Sequence, residues 1–294
     1  MQHKAGFVNI IGNPNVGKST LMNAMVGEKL SIITSKAQTT RHRILGIVND
    51  DAYQIVFSDT PGIIKPAYEL QNSMMDFVKS AFKDADILIY MVEIGEKELK
   101  DEDFFNKIIH QTIPVLLLIN KIDTSNQEIL TEQVALWQSK VPNAEIYPIS
   151  AKENFNITTV FDRIIELLPE SPPYYPKDQL TDKPERFFVN ETIREKILLN
   201  YEKEIPYSVE VETEEFKEEE TILRIKSIIM VERDSQKGII IGHKGASLKK
   251  VGTQARADLE IFFGKKIHLE IFVKVNKDWR SNSFQLRKFG YNQK

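Results

Sequence analysis

Eight residues near the start of the chain, Gly12-Asn13-Pro14-Asn15-Val16-Gly17-Lys18-Ser19, follow the order G-x-x-x-x-G-K-S and lead into Thr20. Those residue types at that spacing suit an anion with several oxygens. A helix start leaves backbone N–H groups unpaired and carries partial positive charge, so a loop wrapped over it aims several donors at one phosphate chain. Gly12 and Gly17 permit backbone approaches that a Cβ would block. Lys18 supplies a point charge for the outer phosphates, and the Ser19 hydroxyl a ligand for Mg²⁺. The plainer alternative, a glycine turn ahead of a helix, needs no ligand.

Three further clusters add chemistry. Asp59-Thr60-Pro61-Gly62 has the form D-x-x-G. A carboxylate there can hold a water of a Mg²⁺ shell, and the Gly62 N–H can meet a terminal phosphate. D-x-x-G is common by chance, so its weight comes from its place. Asn120-Lys121-Ile122-Asp123 selects a base. The Asp123 carboxylate can accept two hydrogen bonds from guanine N1–H and the exocyclic amine, whereas adenine would leave it unpaired. The Lys121 stem can lie along the base plane, and Asn120 can tie its loop to the first cluster. Ser150-Ala151-Lys152 is the fourth.

The elements that must position these clusters follow from patterning. Phe7–Ile11, 44–49, 53–58, 86–92, 114–119 and 145–149 read as strands, and 69–83, 127–140 and 157–168 as helices, with another marked by Phe104, Phe105, Ile108 and Ile109. Strands alternating with helices imply a doubly wound, mostly parallel sheet, which binds ligands beyond the carboxyl ends of its strands. All four clusters sit at such ends. Four prolines fall within residues 169–176, the mark of an extended, semi-rigid linker. The domains are therefore set at 1–170 and 183–294, with 171–182 between them. Beyond it, a helix over 185–201, a strand over 207–213, an acidic turn at 214–220 and a strand over 221–231 precede two helices and a last strand at 266–275. That order is α-β-β-α-α-β, a small α+β unit.

Composition restricts the rest. With 294 residues, no cysteine and a net charge of −3, the chain has the balance of an ordinary two-domain protein without disulfides or thiolate metal sites. No leader or membrane-length apolar run appears, so a cytoplasmic protein is expected. The five histidines are scattered without metal-ligand spacing. The average charge conceals a split: residues 201–220 carry a net −7 and residues 221–294 a net +10. A basic end is commonly just a solvated face, yet the asymmetry also suits nucleic acid.

Taken together, Gly12–Ser19, Thr39-Thr40, Asp59–Gly62, Asn120–Asp123 and Ser150–Lys152 resemble the five motifs of the Ras-like translation-factor GTPases. The resemblance implies that GTP and GDP bind here with Mg²⁺ held by Ser19 and a switch threonine, Asp59 in support. That threonine is Thr39 or Thr40, with Thr40 favoured by the relatives. Lys18, Thr40, Asp59, Gly62 and Asn15 would then serve catalysis. Asn15 resembles a P-loop asparagine that in some relatives helps to bind K⁺; as an ordinary loop residue it would do nothing of the kind. Two departures stand out. Ile63 occupies the place where Ras-like proteins carry a water-positioning Gln, which implies slow intrinsic hydrolysis. Phe155 stands where relatives usually have a glycine after Ser-Ala.

In the second domain, Ile240-Ile241-Gly242-His243-Lys244-Gly245 puts G-x-x-G between two helices of a basic segment. This resembles a type II KH domain, whose G-x-x-G loop clamps about four nucleotides of single-stranded RNA. Lys244, Lys249 and Lys250 would add charge, and Ile240 and Ile241 would floor the groove or simply be core. A P-loop GTPase domain followed by a KH domain is similar along essentially the whole chain to the Era family, bacterial GTPases of small-ribosomal-subunit assembly. That resemblance implies a monomer binding small-subunit (16S) ribosomal RNA near its 3′ end, with peripheral association at the inner membrane by resemblance only. The rivals are an ATP-using P-loop enzyme, a constitutive RNA-binding module with a structural nucleotide, and a GTPase acting on tRNA.

Overall fold

Two runs with no polar face set the centre of the first domain. Ile87–Glu93 (β4) and Val115–Asn120 (β5) are buried at nearly every position, as strands covered on both sides must be. Lys4–Ile11 (β1), Ile44–Asn49 (β2), Tyr53–Asp59 (β3) and Ala144–Pro148 (β6) complete a six-stranded sheet in the order β2-β3-β1-β4-β5-β6. β2 runs antiparallel to β3, and the other neighbours are parallel. The connecting helices are Lys18–Val26 (α1), Glu69–Lys83 (α2), Glu102–Ile109 (α3), Gln127–Lys140 (α4) and Ile157–Leu167 (α5). The computed structural model describes residues 2–99 and 101–291. Its contacts divide the chain into one unit of residues 1–67 and 71–182 and another of 68–70 and 183–294.

Residues 171–182 do not hang free as a spacer. They run as a strap along the outer strands of the first unit. Leu180 accepts the Ile47 N–H at 2.8 Å, Thr181 bridges Gly46 antiparallel, and the Leu45 N–H donates to the Asp182 carboxylate at 3.0 Å. Gln54, fully buried, donates to the Tyr175 carbonyl at 2.9 Å and accepts the Tyr174 and Tyr175 N–H groups. Tyr174 and Tyr175 pack on Phe7. The chain turns after Pro176, where the Gln179 N–H donates to the Pro176 carbonyl at 3.0 Å, and buried glutamine and backbone pairing fix the strap in place.

The second unit comprises Glu185–Asn200 (α6), Ile205–Ser208 (α7), Glu210–Glu218 (β7), Ile222–Val231 (β8), Asp234–Ile241 (α8), Ala246–Phe263 (α9), Lys266–Val275 (β9) and Ser283–Lys288 (α10). The sheet order is β7-β8-β9, the first pair antiparallel and the second parallel. Val189, Ile193, Ile197, Ile229, Val251, Ala255 and Leu259 form the core between helices and sheet.

Two expectations are corrected here. Tyr207 and Ser208 belong to a helical turn, because Pro206 near its start supplies a helical φ. The acidic stretch 214–218 is strand, with the turn confined to the residues after Glu218. Its carboxylates meet cations across the sheet: Glu214 with Lys226 and Lys274, Glu218 with Lys265, and Glu219 of the turn with Arg224. Among the described residues no helix is long and apolar enough to cross a membrane.

Candidate functional site

Strand register brings the four clusters to one rim. Ile10 lies opposite Asp59, Ile11 opposite Tyr90, Glu93 opposite Asn120 and Ile119 opposite Pro148. Each chain therefore leaves the sheet beside the next, and its polar residues surround one cleft of about 820 Å³. Lys18, Ser19, Thr40, Gly62, Asn120, Lys121, Asp123 and Lys152 line it, with Pro14, Asn15, Gly17 and Thr20.

The loop Gly12–Ser19 is shaped by positive φ at Gly12 (154°), Asn15 (66°) and Gly17 (104°). A Cβ on Gly12 would stand 2.2 Å from the Met91 carbonyl oxygen, and one on Gly17 2.3 Å from the Asn120 side-chain nitrogen. Lys18 is only 6% exposed. Its ammonium donates to the carbonyls of Asn13 at 2.8 Å and Gly12 at 3.3 Å. Burial lowers its pKa to about 8, against the opposing pull of the Asp59 and Glu96 carboxylates.

At the cation position the Ser19 hydroxyl donates to Asp59 Oδ2 at 2.7 Å and lies 2.9 Å from the Thr40 hydroxyl, which is itself 3.3 Å from Asp59. Two hydroxyls and a carboxylate thus converge without a positive charge of their own. Asp59 is fully buried, and its Oδ1 has no hydrogen-bond partner among the described residues. Burial raises the Asp59 carboxyl above its ordinary range, opposed by the Ser19 hydrogen bond and the Lys18 charge. A hydrated Mg²⁺ fits this donor set, which is hard, oxygen-only and one partner short. Thr39 also lines the cleft, but its hydroxyl is engaged elsewhere, 2.6 Å from that of Thr34 and donating to the Lys36 carbonyl.

Gly62 rests on the phosphate loop, where an added Cβ would stand 2.6 Å from the Pro14 Cα. The following Ile63 is fully buried and donates its N–H to the Gly12 carbonyl at 3.0 Å. Its side chain cannot reach a water in the cleft. Asn15 is exposed and donates to the Ser35 carbonyl at 2.8 Å.

At the base end Asn120 ties three motifs. Its amide donates to the Val16 carbonyl at 2.8 Å, and its oxygen accepts the Ala151 N–H at 2.9 Å. Asp123 accepts from the Ser150 hydroxyl at 2.5 Å, which aims the carboxylate. Lys121 adopts left-handed φ of 64° and pairs with Glu93. Lys152 is exposed beside Glu153. The turn carrying Phe155 closes without glycine: Ser150 and Phe155 exchange backbone hydrogen bonds, and the left-handed positions fall on Asn154 and Asn156.

In the second unit the G-x-x-G loop joins α8 to α9. Gly242 (φ 71°), Lys244 (50°) and Gly245 (79°) all take positive φ. His243, Lys244, Lys249 and Lys250 are exposed there, and a Cβ on Gly245 would meet nothing within 4 Å. The backbone is open to a phosphate. Ile240 is instead fully buried in the core and its carbonyl accepts the Tyr201 hydroxyl at 2.6 Å. Its side chain cannot meet a base; Ile241 is half-buried and packs on the same core.

Sequence reasoning did not pick out Glu93, Glu96 and Gln133, which support the site from behind. Polar residues after a strand or on a helix carry no distinguishing pattern.

The chain matches the family model described as 50S ribosome-binding GTPase over residues 7–121 and that of the KH domain over residues 204–280. Fold, cleft and loop thus define a P-loop GTPase joined to a KH domain. Two solved structures match along almost the full length. One is of Era in complex with MgGDPNP and nucleotides 1506–1542 of 16S ribosomal RNA, 39% identical over 98% of this chain and 99% of that one, with a TM-score of 0.94. The other is of a variant of Aquifex aeolicus Era bound to GDP·AlF4⁻, 40% identical over the same shares, with a TM-score of 0.93. The chain belongs to the Era family.

Proposed function

We propose that this protein is a Mg²⁺-dependent GTPase switch that grips the 3′ region of small-subunit ribosomal RNA during assembly of that subunit. The observation that carries the reading is the pairing, in one chain, of a guanine-selective phosphate cleft with an exposed G-x-x-G loop, in a full-length likeness to an RNA-bound Era. The GTPase family's description names the 50S subunit. The full-length relative holds 16S RNA, and a match that spans both units outweighs one confined to the first.

In the proposed mechanism Asp123, aimed by Ser150, accepts the guanine donors, Lys121 covers the base, and Asn120, bonded to the Val16 carbonyl and the Ala151 N–H, keeps the loops in register around it. The N–H groups of Asn13 and of Asn15–Ser19 surround the phosphates, and Lys18 leaves the loop carbonyls to neutralise them. Bound Mg²⁺, held by Ser19 and Thr40 with Asp59 behind, would draw charge from the phosphate oxygens. Gly62 presents its N–H to the terminal phosphate. With Ile63 buried, no side chain at that position orients the attacking water, so turnover is slow and suits a timed state better than bulk hydrolysis. For K⁺ the support is the position of Asn15 at the cleft mouth beside Ser35. Gly242–Gly245 approaches the RNA backbone, with Lys244, Lys249 and Lys250 adding charge. A GTPase domain to residue 170, a strap over 171–182, a KH domain from 183, and a cytoplasmic monomer complete the reading.

The test is the affinity of an oligonucleotide from the 3′ region of the small-subunit RNA, measured with a GTP analogue, with GDP and without nucleotide. A switch requires the states to differ, about fivefold or more for a typical coupling. Lys18→Ala should erase that difference. Equal affinities in all three conditions would leave a constitutive RNA-binding protein.

A further inference from the structure

The turn that ends β4, Glu93-Ile94-Gly95-Glu96, touches both halves of the nucleotide cleft. On one side the Ile94 N–H donates to the Asn120 carbonyl at 2.9 Å, and the Glu93 carboxylate pairs with Lys121. On the other, Glu96 Oε1 accepts from the side-chain amide of Asn13, whose nitrogen also donates to the Glu98 carbonyl at 3.1 Å. Two bonds close the turn on itself: the Glu93 N–H donates to Glu96 Oε2 at 3.1 Å, and the Glu96 N–H to the Glu93 carbonyl at 3.0 Å. Gln133 of α4, buried, donates to the Glu96 carbonyl.

We propose that Glu96 is a positioning residue of the nucleotide site: by holding Asn13 it fixes the phosphate loop at a set distance from the base-binding loop before nucleotide arrives. Asn13 is 5% exposed, and its backbone carbonyl is where the Lys18 ammonium rests. Anchoring the Asn13 side chain therefore also fixes that resting place. Glu96 faces a crowded polar environment: its carboxyl is raised by burial, with the Asn13 hydrogen bond and the Lys18 charge acting in the opposite direction. A loop held in its binding shape loses little freedom when the ligand arrives, whereas an unheld loop must be ordered at the expense of affinity. GTP and GDP share the base and the two inner phosphates, so loss of the anchor weakens both alike. Chemistry at saturation, which depends on Thr40, Asp59 and Gly62, changes little.

This inference rests on the guanine-nucleotide reading above. The experiment uses the full chain with fluorescent GDP and a fluorescent GTP analogue, and compares the parent with Glu96→Ala, Glu96→Gln, Asn13→Ala and the Glu96→Ala, Asn13→Ala double variant. Glu96→Ala should raise both Kd values about tenfold, through faster dissociation, with kcat at saturation within about twofold. Glu96→Gln keeps one accepting oxygen and should recover most of the affinity. In the double variant the second substitution should add little, because both remove the same bond. Kd values for Glu96→Ala within about twofold of the parent, or losses that multiply in the double variant, would overturn the proposal. Should Glu96→Ala fail to fold, Asn13→Ala alone removes the same bond from the loop side and should raise both Kd values to a similar extent; unchanged values would overturn the proposal. A parent chain that binds both nucleotides while the Glu96 variants are unchanged sinks this inference alone. A parent that binds neither sinks the reading beneath it.

Discussion

Lys18 is an ammonium buried before any phosphate reaches it, and that has a consequence for pH. Its pKa is about 8 in the unliganded fold against 10.5 in an unfolded chain. Between those values the unfolded chain binds more protons, so the stability of the unliganded protein rises with pH across that window. Nucleotide binding acts in the opposite sense, because phosphates favour the charged lysine. GDP affinity should be flat below about pH 7 and weaken above about pH 8, approaching tenfold per pH unit, with proton uptake on binding. Calorimetry in buffers of different ionisation enthalpy measures that uptake directly, and its absence at about pH 8.5 would show that Lys18 is not the titrating group. Most residues of this cleft were legible in the sequence because each motif is local: Lys18, Asp59 and Asp123 sit at fixed offsets in short patterns. Glu96 was not, since only the folded register of β1 and β4 brings its turn beside Asn13.

At the scale of elements, local preference and tertiary pairing disagree most in the second unit. A run of glutamates reads as a turn, yet β7 continues through Glu218 because Lys226 of β8, Lys274 of β9 and Lys265 just before β9 meet its carboxylates. Each exposed pair contributes at most about 1 kcal/mol, but together they cancel the like-charge repulsion that would otherwise end the strand. The same pairing engages Lys226, Lys265 and Lys274 at the sheet, while Lys244, Lys249 and Lys250 stay exposed at the loop. The segment after β9 was assigned no element from its sequence pattern. Trp279, fully buried, donates to the Ser208 carbonyl at 3.0 Å, and Tyr291 donates to Glu210 at 2.7 Å, contacts made across some seventy to eighty residues that no periodicity encodes. Between α8 and α9 the loop can be tested alone. Gly245→Asp meets open space, so the fold should survive with about 1 kcal/mol of strain from the left-handed backbone. The added carboxylate should lower RNA affinity about tenfold or more while GDP affinity stays within about twofold. An unchanged RNA Kd would remove this loop from the interface.

At the scale of the molecule, composition located a boundary but not the strap. Four prolines within eight residues announce extended chain, but the segment bends at Tyr174 and Tyr175 and turns after Pro176. Nothing local says that Gln54 would bury its amide against Tyr174 and Tyr175, or that Thr181 would pair with an outer strand. The strap pairs with the open edge of β2, and its Tyr175 packs on the cluster of Leu45 and Ile47 from β2, Val56 from β3 and Phe7 from β1. A fragment ending at residue 170 should therefore be less stable than one ending at 182 by about 2 kcal/mol or more, and prone to aggregate. Urea unfolding and light scattering of the two fragments decide it; equal midpoints and equal solubility would show the strap to be ornamental.

The strap also bears on how the chain is made. His3 bonds to Ser171 across 168 positions, and Leu45 to Asp182 across 137. Contacts of such long range form late and slowly, and during synthesis they cannot form at all until the distant partner has left the ribosome. The first unit thus stays unfinished along its outer strands until nearly two-thirds of the chain has emerged, although every residue that lines the cleft precedes residue 153.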